Sequence, residues 1–469
     1  MVVSAADSPR LKALLRPLLF GQEPSWELIA ILLVYFVQGI LGLARLATSF
    51  FLKDELGLTP AEVAAMMGIV SLPWVIKPLF GFLSDSFPIL GYRRRSYLLM
   101  SSFLGCGGWL YLALVSHSAP SATVAITLCS LSTAVSDVIV DSIVVERIRG
   151  ESSSDAGSLQ SLCWATTAVG GLITAYLSGF LLEHLSIRTI FCITATFPLL
   201  VLVTASLIQD AKVAMPKDFG IVKTQLQQIK AAMTQKRIWL PVLFIFLWQA
   251  TPSSDSAFFF FTTNDLGFKP EFLGRVRLVT SFASLAGVWV FQRFLKTVPV
   301  RRIFGWSTLI SSGLGMTTLI LVTHANRAMG IDDQWFSLGD SLVLTVMGQI
   351  AFMPVLILAA QLCPRGVEAT MFAILMSICN LAGILSHESG ALLTHWMGIT
   401  ETNFESLWVL VIVTNVATLL PLPLLYWVPD HTATLEESPE APPAIASTNG
   451  PVVVLSETEA ERRVRLASD

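Results

Sequence analysis

The chain has 469 residues, of which 54% are hydrophobic and 13% charged, and its mean hydropathy is +0.68. Soluble globular domains carry about twice that charged fraction, so the composition excludes that class and indicates a membrane protein. The formal net charge of −3 speaks neither for nor against nucleic acid, and no such partner is expected of so apolar a chain.

The first 25 residues are too polar for a signal peptide. Leu11, Leu14, Leu15 and Leu18 among Arg10, Lys12 and Arg16 predict a short interfacial helix there. A bilayer core needs about 20 apolar residues per helix. The sequence predicts an all-α membrane protein with twelve transmembrane helices, near 26–52, 60–83, 96–116, 121–146, 155–183, 187–208, 238–262, 270–295, 303–323, 336–363, 366–393 and 405–428. They form two six-helix halves, 26–208 and 238–428, joined by a linker over 209–237. In that linker Val222, Leu226, Ile229 and Met233 share one helical face beside several lysines, which predicts a basic amphipathic helix on the membrane surface. The tail, 429–469, is rich in Pro, Ala, Glu and Ser and is expected to be disordered.

Basic residues in the connections set the orientation. With the N-terminus inside, the outside loops hold only Lys53, Arg188, Lys269 and Arg327 of the 30 lysines and arginines. Arg45, Lys77, Arg275 and Arg277 fall within spans, and all the others lie inside. This positive-inside bias predicts that both termini are cytoplasmic. Asp54-Glu55-Leu56-Gly57-Leu58-Thr59-Pro60 realigns with Asn264-Asp265-Leu266-Gly267-Phe268-Lys269-Pro270, each in the outside turn that follows the first helix of its half. Such a duplication predicts two parallel repeats about an axis normal to the membrane, the major facilitator arrangement.

Cys106, Cys129, Cys163, Cys192, Cys363 and Cys379 lie in apolar stretches without ligand spacing and read as small buried hydrophobes. No Walker, HExxH, CxxC or GxSxG sequence is present. ATP-driven transport and a membrane enzyme are therefore not supported, and no cofactor or metal is expected.

Ionisable groups inside spans need a partner or a wet cavity. On the first span Gln38, Gly42, Arg45 and Ser49 form a polar stripe, with Arg45 roughly 8 Å to the outer side of the midplane. The repeat carries position 45 onto Asp255 in the seventh span, so the two charges are either an ion pair between the halves or two walls of a substrate site. Ser130, Thr133, Asp137 and Asp141 share a face of the fourth span. Two crowded carboxylates there suit proton coupling; alternatively they are structural acids neutralised by Lys77. In the seventh span Pro252 predicts a bend. Trp248 and Asp255, seven apart, are expected to share a face beside Gln249. Gln160 and Trp164 make a weaker pair of the same kind, and Gln349 and Asn380 sit near the midplane as ligands or interhelical glue. Arg275 and Arg277, near the outer end of the eighth span, either snorkel or face the cavity. His387-Glu388 is expected to be interfacial.

Gly81 to Arg95 joins two spans by a turn that carries Asp85 and the run Arg93, Arg94 and Arg95, and Glu146, Arg147 and Arg149 end the fourth span on the same side. These charges are expected to gate the cytoplasmic end by locking helix ends in one state and releasing them in another.

That turn resembles the major facilitator signature, with a longer gap from Asp85 to the arginines than is usual. Ile76-Lys77-Pro78-Leu79, Ser136-Asp137-Val138 with Asp141, and Leu159 to Trp164 together resemble the folate–biopterin transporter family of cyanobacteria, plastids and protozoa. Ala250-Thr251-Pro252-Ser253 and Pro270-Glu271-Phe272-Leu273-Gly274 extend the likeness into the second half. The resemblance implies a secondary carrier of folates or pterins in a bacterial inner membrane or plastid envelope; protons, membrane lipid and a monomeric state are further expectations. Asp255 or Asp137 would then meet the pterin edge, Arg45, Lys77 or Arg275 the glutamate tail, and Trp164 or Trp248 the ring. A carrier of another metabolite such as S-adenosylmethionine, or a membrane receptor or lipid-handling protein that transports no soluble solute, is the alternative.

Overall fold

The protein is described by a computed structural model at residues 19, 22–148, 153–208, 210, 212, 234–295, 298–362 and 368–429. The expected interfacial helix, the amphipathic linker helix and the tail lie outside the described residues. The described structure is helical throughout apart from turns and one isolated bridge, Ile89 to Tyr92.

Ten segments are long and apolar enough to cross a membrane. They are α1 (Trp26–Glu55), α2 (Pro60–Ser84), α3 (Arg95–Leu114), α4 (Ala119–Val144), α5 (Leu162–His184) and α6 (Ile187–Ala205), then α8 (Pro270–Leu295), α9 (Val300–Val322), α10 (Asp333–Val355) and α12 (Leu407–Trp427). The two other predicted spans are helical but fall outside those ten. One is α7, in two pieces, Lys236–Gln249 and Asp255–Phe260. The other is α11, Glu368–Trp396.

The helix starts follow local chemistry. Ser25 caps α1 by accepting from the Leu28 amide at 3.1 Å. Thr59 and Glu62 form a capping box at α2, with Pro60 in the first turn where its missing N–H costs nothing. Gly57 and Gly267 end the preceding helices at φ of +64° and +65°, a left-handed conformation that glycine adopts without strain.

The repeat seen in the sequence is a repeat in the backbone. Phe51–Glu55 and Phe261–Asp265 are both single π-turns, closed by matching bonds from Leu56 to Phe51 and from Leu266 to Phe261. Each half also breaks its first helix at the equivalent level. In α1, Gly39 and Gly42 flank i→i+3 bonds that tighten the chain. In α7 the chain leaves helix at 250–254, around Pro252.

Two apolar clusters hold each half, one on either side of those breaks. In the first half Leu43, Phe51, Met66, Trp109 and Phe191 pack towards the Gly57 face. Leu28, Val34, Leu98, Ile143 and Val201 pack towards the opposite face. In the second half Phe261, Leu321 and Leu407 form one cluster and Phe244, Phe304, Val355 and Val428 the other. Phe260 of α7 is buried within the first-half cluster, and Phe50 meets Phe259 edge to face at 5.4 Å. The Gly57 face is thus closed by contacts between the halves. Lys53 donates to Asn264 there at 2.9 Å. At the α5–α8 crossing, a methyl at Gly179 would lie 2.7 Å from the Gly274 Cα, so only glycine lets these backbones approach.

Candidate functional site

Where α1, α2 and α4 meet at mid-bundle, their polar groups form one network. Pro73 and Pro78 interrupt α2, leaving short helices Leu72–Val75 and Lys77–Ser86. This break turns Lys77 onto Asp137 of α4, with which it makes an ion pair whose side chains are only 17% and 13% exposed. Gln38 of α1 donates its Nε2 to the other oxygen of Asp137 at 3.0 Å. The Lys77 ammonium also lies 4.7 Å from the centre of the Trp74 ring, and Trp74 Nε1 donates to Ser130 at 3.1 Å. One turn along α4, Asp141 accepts a hydrogen bond from the Tyr35 hydroxyl yet is exposed. A cavity of about 10 Å³, the room one water needs, adjoins Gln38 and is lined by Ser101, Ser132, Thr133 and Ser136.

Asn380 joins this network to the second half. Pro78 has no N–H to give the Trp74 carbonyl four residues before it. Asn380 Nδ2 supplies the missing donor at 3.0 Å from α11. The break in α7 is repaired in the same manner. Pro252 leaves the Trp248 carbonyl without its helical partner, and Thr251 Oγ1 donates to it at 3.1 Å. Ser386 of α11 donates to the Thr251 carbonyl at 2.6 Å and accepts, through its own carbonyl, the Ser253 amide at 3.2 Å. Thus α11 braces the broken helices of both halves.

The break interrupts α7 between Trp248 and Asp255, so the seven-residue spacing of an unbroken helix does not apply to them. Trp248 packs edge to face on Phe304 and donates to Thr308 at 3.1 Å, inside the second-half core. Asp255 opens the second piece of α7 and is exposed. Gln249 lies beside the Cys379 thiol, and its Nε2 is buried without a hydrogen-bond partner among the described residues. Gln349 packs against Gly287 across α8 and α10. Trp164 is 64% exposed on α5; the Gln160 side chain lies outside the described residues.

Arg45 is exposed, although Ala44, Leu46, Ala47 and Thr48 around it are buried. It makes no ion pair with Asp255. Its electrostatic neighbour is Arg277 of α8, whose Nη1 is buried and has no partner among the described residues. Arg275, by contrast, pairs with Glu271 at 2.6 Å and is 58% exposed. Tyr35 is the group that sequence spacing does not single out, and Arg277 is one that it leaves between snorkelling and the cavity. The signal for Tyr35 was its hydroxyl inside an apolar helix, one turn before Gln38.

At the opposite face, Arg94 is buried and donates to Ser84 at 2.7 Å. The Asp210 carboxylate accepts the amides of Arg94 and Arg95 at 2.8 and 3.0 Å, an anion capping the start of α3. Arg95 stacks over Tyr92, and Arg93 Nε is buried without a partner among the described residues. The side chains of Asp85, Glu146 and Arg147, and all of Arg149, lie outside the described residues.

Three comparisons place this architecture. The chain is 60% identical over 434 residues to a folate-biopterin transporter of Synechocystis, covering 92% of this chain and 88% of that one. It is 31% identical over 425 residues to a probable folate-biopterin transporter 2 of Arabidopsis thaliana, covering 88% and 84%. Its fold matches the crystal structure of the nucleoside transporter NupG with a TM-score of 0.65 at 14% identity, covering 86% of this chain and 98% of that one. The fold is therefore that of the major facilitator transporters, in an integral, multi-pass membrane protein. The BT1 family model matches residues 38–444, and the chain belongs to the BT1 family.

Proposed function

We propose that this protein carries folates or pterins across its membrane by alternating access, as a monomer in lipid with both termini cytoplasmic. The observation that carries the proposal is the matched break in α1 and α7, with Arg45 exposed among buried neighbours and Asp255 exposed among half-buried ones at equivalent positions of the repeat. Charged groups are retained in a span where a cavity wets them. The name of the Synechocystis relative supports folate or biopterin as the cargo. The basic residues on the side of the termini support a cytoplasmic placement.

Asp255 is the free carboxylate suited to the donor edge of a pterin. Asp137 is less suited, because Lys77 and Gln38 occupy it. We assign Asp137 and Asp141 to proton coupling. Their separate partners, Lys77 and Tyr35, allow one carboxylate to stay paired while the exposed Asp141 exchanges a proton. Arg93, Arg94 and Arg95, with Asp85, Glu146, Arg147 and Arg149, are assigned to the cytoplasmic gate. Purified protein in vesicles is expected to accumulate labelled folate under an inward proton gradient and to lose that accumulation when the gradient is collapsed. Uptake indifferent to the gradient would remove the coupling and leave the carrier. No uptake of any folate or pterin would remove the carrier.

A further inference from the structure

We infer that Arg45 and Arg277 together form a clamp for a dicarboxylate, so that the carrier selects pterins bearing a glutamate tail over free pterins. The inference rests on the folate reading and adds to it a specificity site split between the two halves.

Two cations from α1 and α8 lie close enough to repel each other, and neither has a carboxylate within ion-pair distance among the described residues. An arginine within a span is costly, and a second nearby raises that cost, unless an anion sits between them. Snorkelling does not account for the Arg277 Nη1, which is shut off from solvent and has no acceptor among the described residues. Arg275, two residues away, shows the other behaviour: it points outward and pairs with Glu271. The two positions therefore separate into a surface ion pair and a half-buried arginine whose Nη1 is buried without a partner among the described residues. A guanidinium fork matches a carboxylate in two-point geometry, and two forks match two carboxylates. A cationic substrate such as a sulfonium compound is disfavoured by the same pair. Arg45 belongs to the first half and Arg277 to the second, so a dianion held by both is also a tie between them.

The test is binding to full-length protein in lipid nanodiscs, with folic acid, biopterin and glutarate as probes, for wild type, Arg45→Gln, Arg277→Gln and Arg277→Lys. Each Gln variant is expected to weaken folic acid about tenfold or more while biopterin stays within about twofold, and Arg277→Lys is expected to fall between. Glutarate is expected to compete with folic acid on wild type and not on Arg277→Gln. Equal losses for folic acid and biopterin, or an unchanged folic acid affinity, would overturn the clamp. If wild type binds neither pterin, the folate reading fails; glutarate binding that both Gln variants abolish then still upholds the clamp, and its absence overturns it. Arg45→Gln, at an exposed position, keeps the test decisive if the Arg277 variants do not fold.

Discussion

At the scale of single residues, mid-bundle charge is organised by pairing. Lys77 and Asp137 are largely withdrawn from solvent together, so removing either leaves the other unpaired in a low-dielectric setting. Lys77→Met is expected to lower stability by about 3 kcal/mol, and the double variant with Asp137→Asn to recover most of that loss. Thermal unfolding of the three variants in detergent measures this, and additive losses would show that the pair is not coupled. Tyr35→Phe removes the hydroxyl that Asp141 accepts from. Proton-driven accumulation is expected to fall about tenfold with exchange of folate across the membrane largely kept. A parallel loss of exchange would place Tyr35 in the general fold instead.

At the scale of elements, prolines and glycines open helices and neighbouring side chains close the resulting gaps. The Trp74 carbonyl freed by Pro78 is held by Asn380, and the Thr251 carbonyl beside Pro252 by Ser386. Asn380→Leu is expected to cost about 0.6 kcal/mol, the average of interhelical hydrogen bonds in a membrane protein, and at most about 1.7, read as a lowered melting temperature; an unchanged one would mean another donor replaces it. Gly179→Leu is expected to force α5 from α8 and to abolish uptake, since no rotamer avoids the Gly274 backbone. Full uptake by that variant would show that the crossing is looser than described.

The same elements show what the sequence made legible. Span positions came from runs of apolar residues, and the repeat from one short shared segment, because a π-turn and a left-handed glycine restrict residue choice. A shared face for Trp248 and Asp255 assumes an unbroken helix, whereas the chain leaves helix at 250–254. Arg277 was not separable from Arg275, because their difference lies in what α1 and α5 place beside them. The pairing of Lys77 with Asp137 stood as one of two readings, since sequence gives no distance between helices.

At the scale of the molecule, contacts between the halves close the Gly57 face through Phe50, Phe259, Phe260, Lys53 and Asn264, and through the α5–α8 crossing. Alternating access requires this face to open during each cycle. The direct measurement is folate uptake by a Lys53→Cys, Asn264→Cys variant in a cysteine-free background, joined by a short, reducible bis-thiosulfonate reagent. Uptake is expected to stop in proportion to the fraction cross-linked and to return on reduction. Undiminished uptake by fully cross-linked protein would contradict the carrier mechanism.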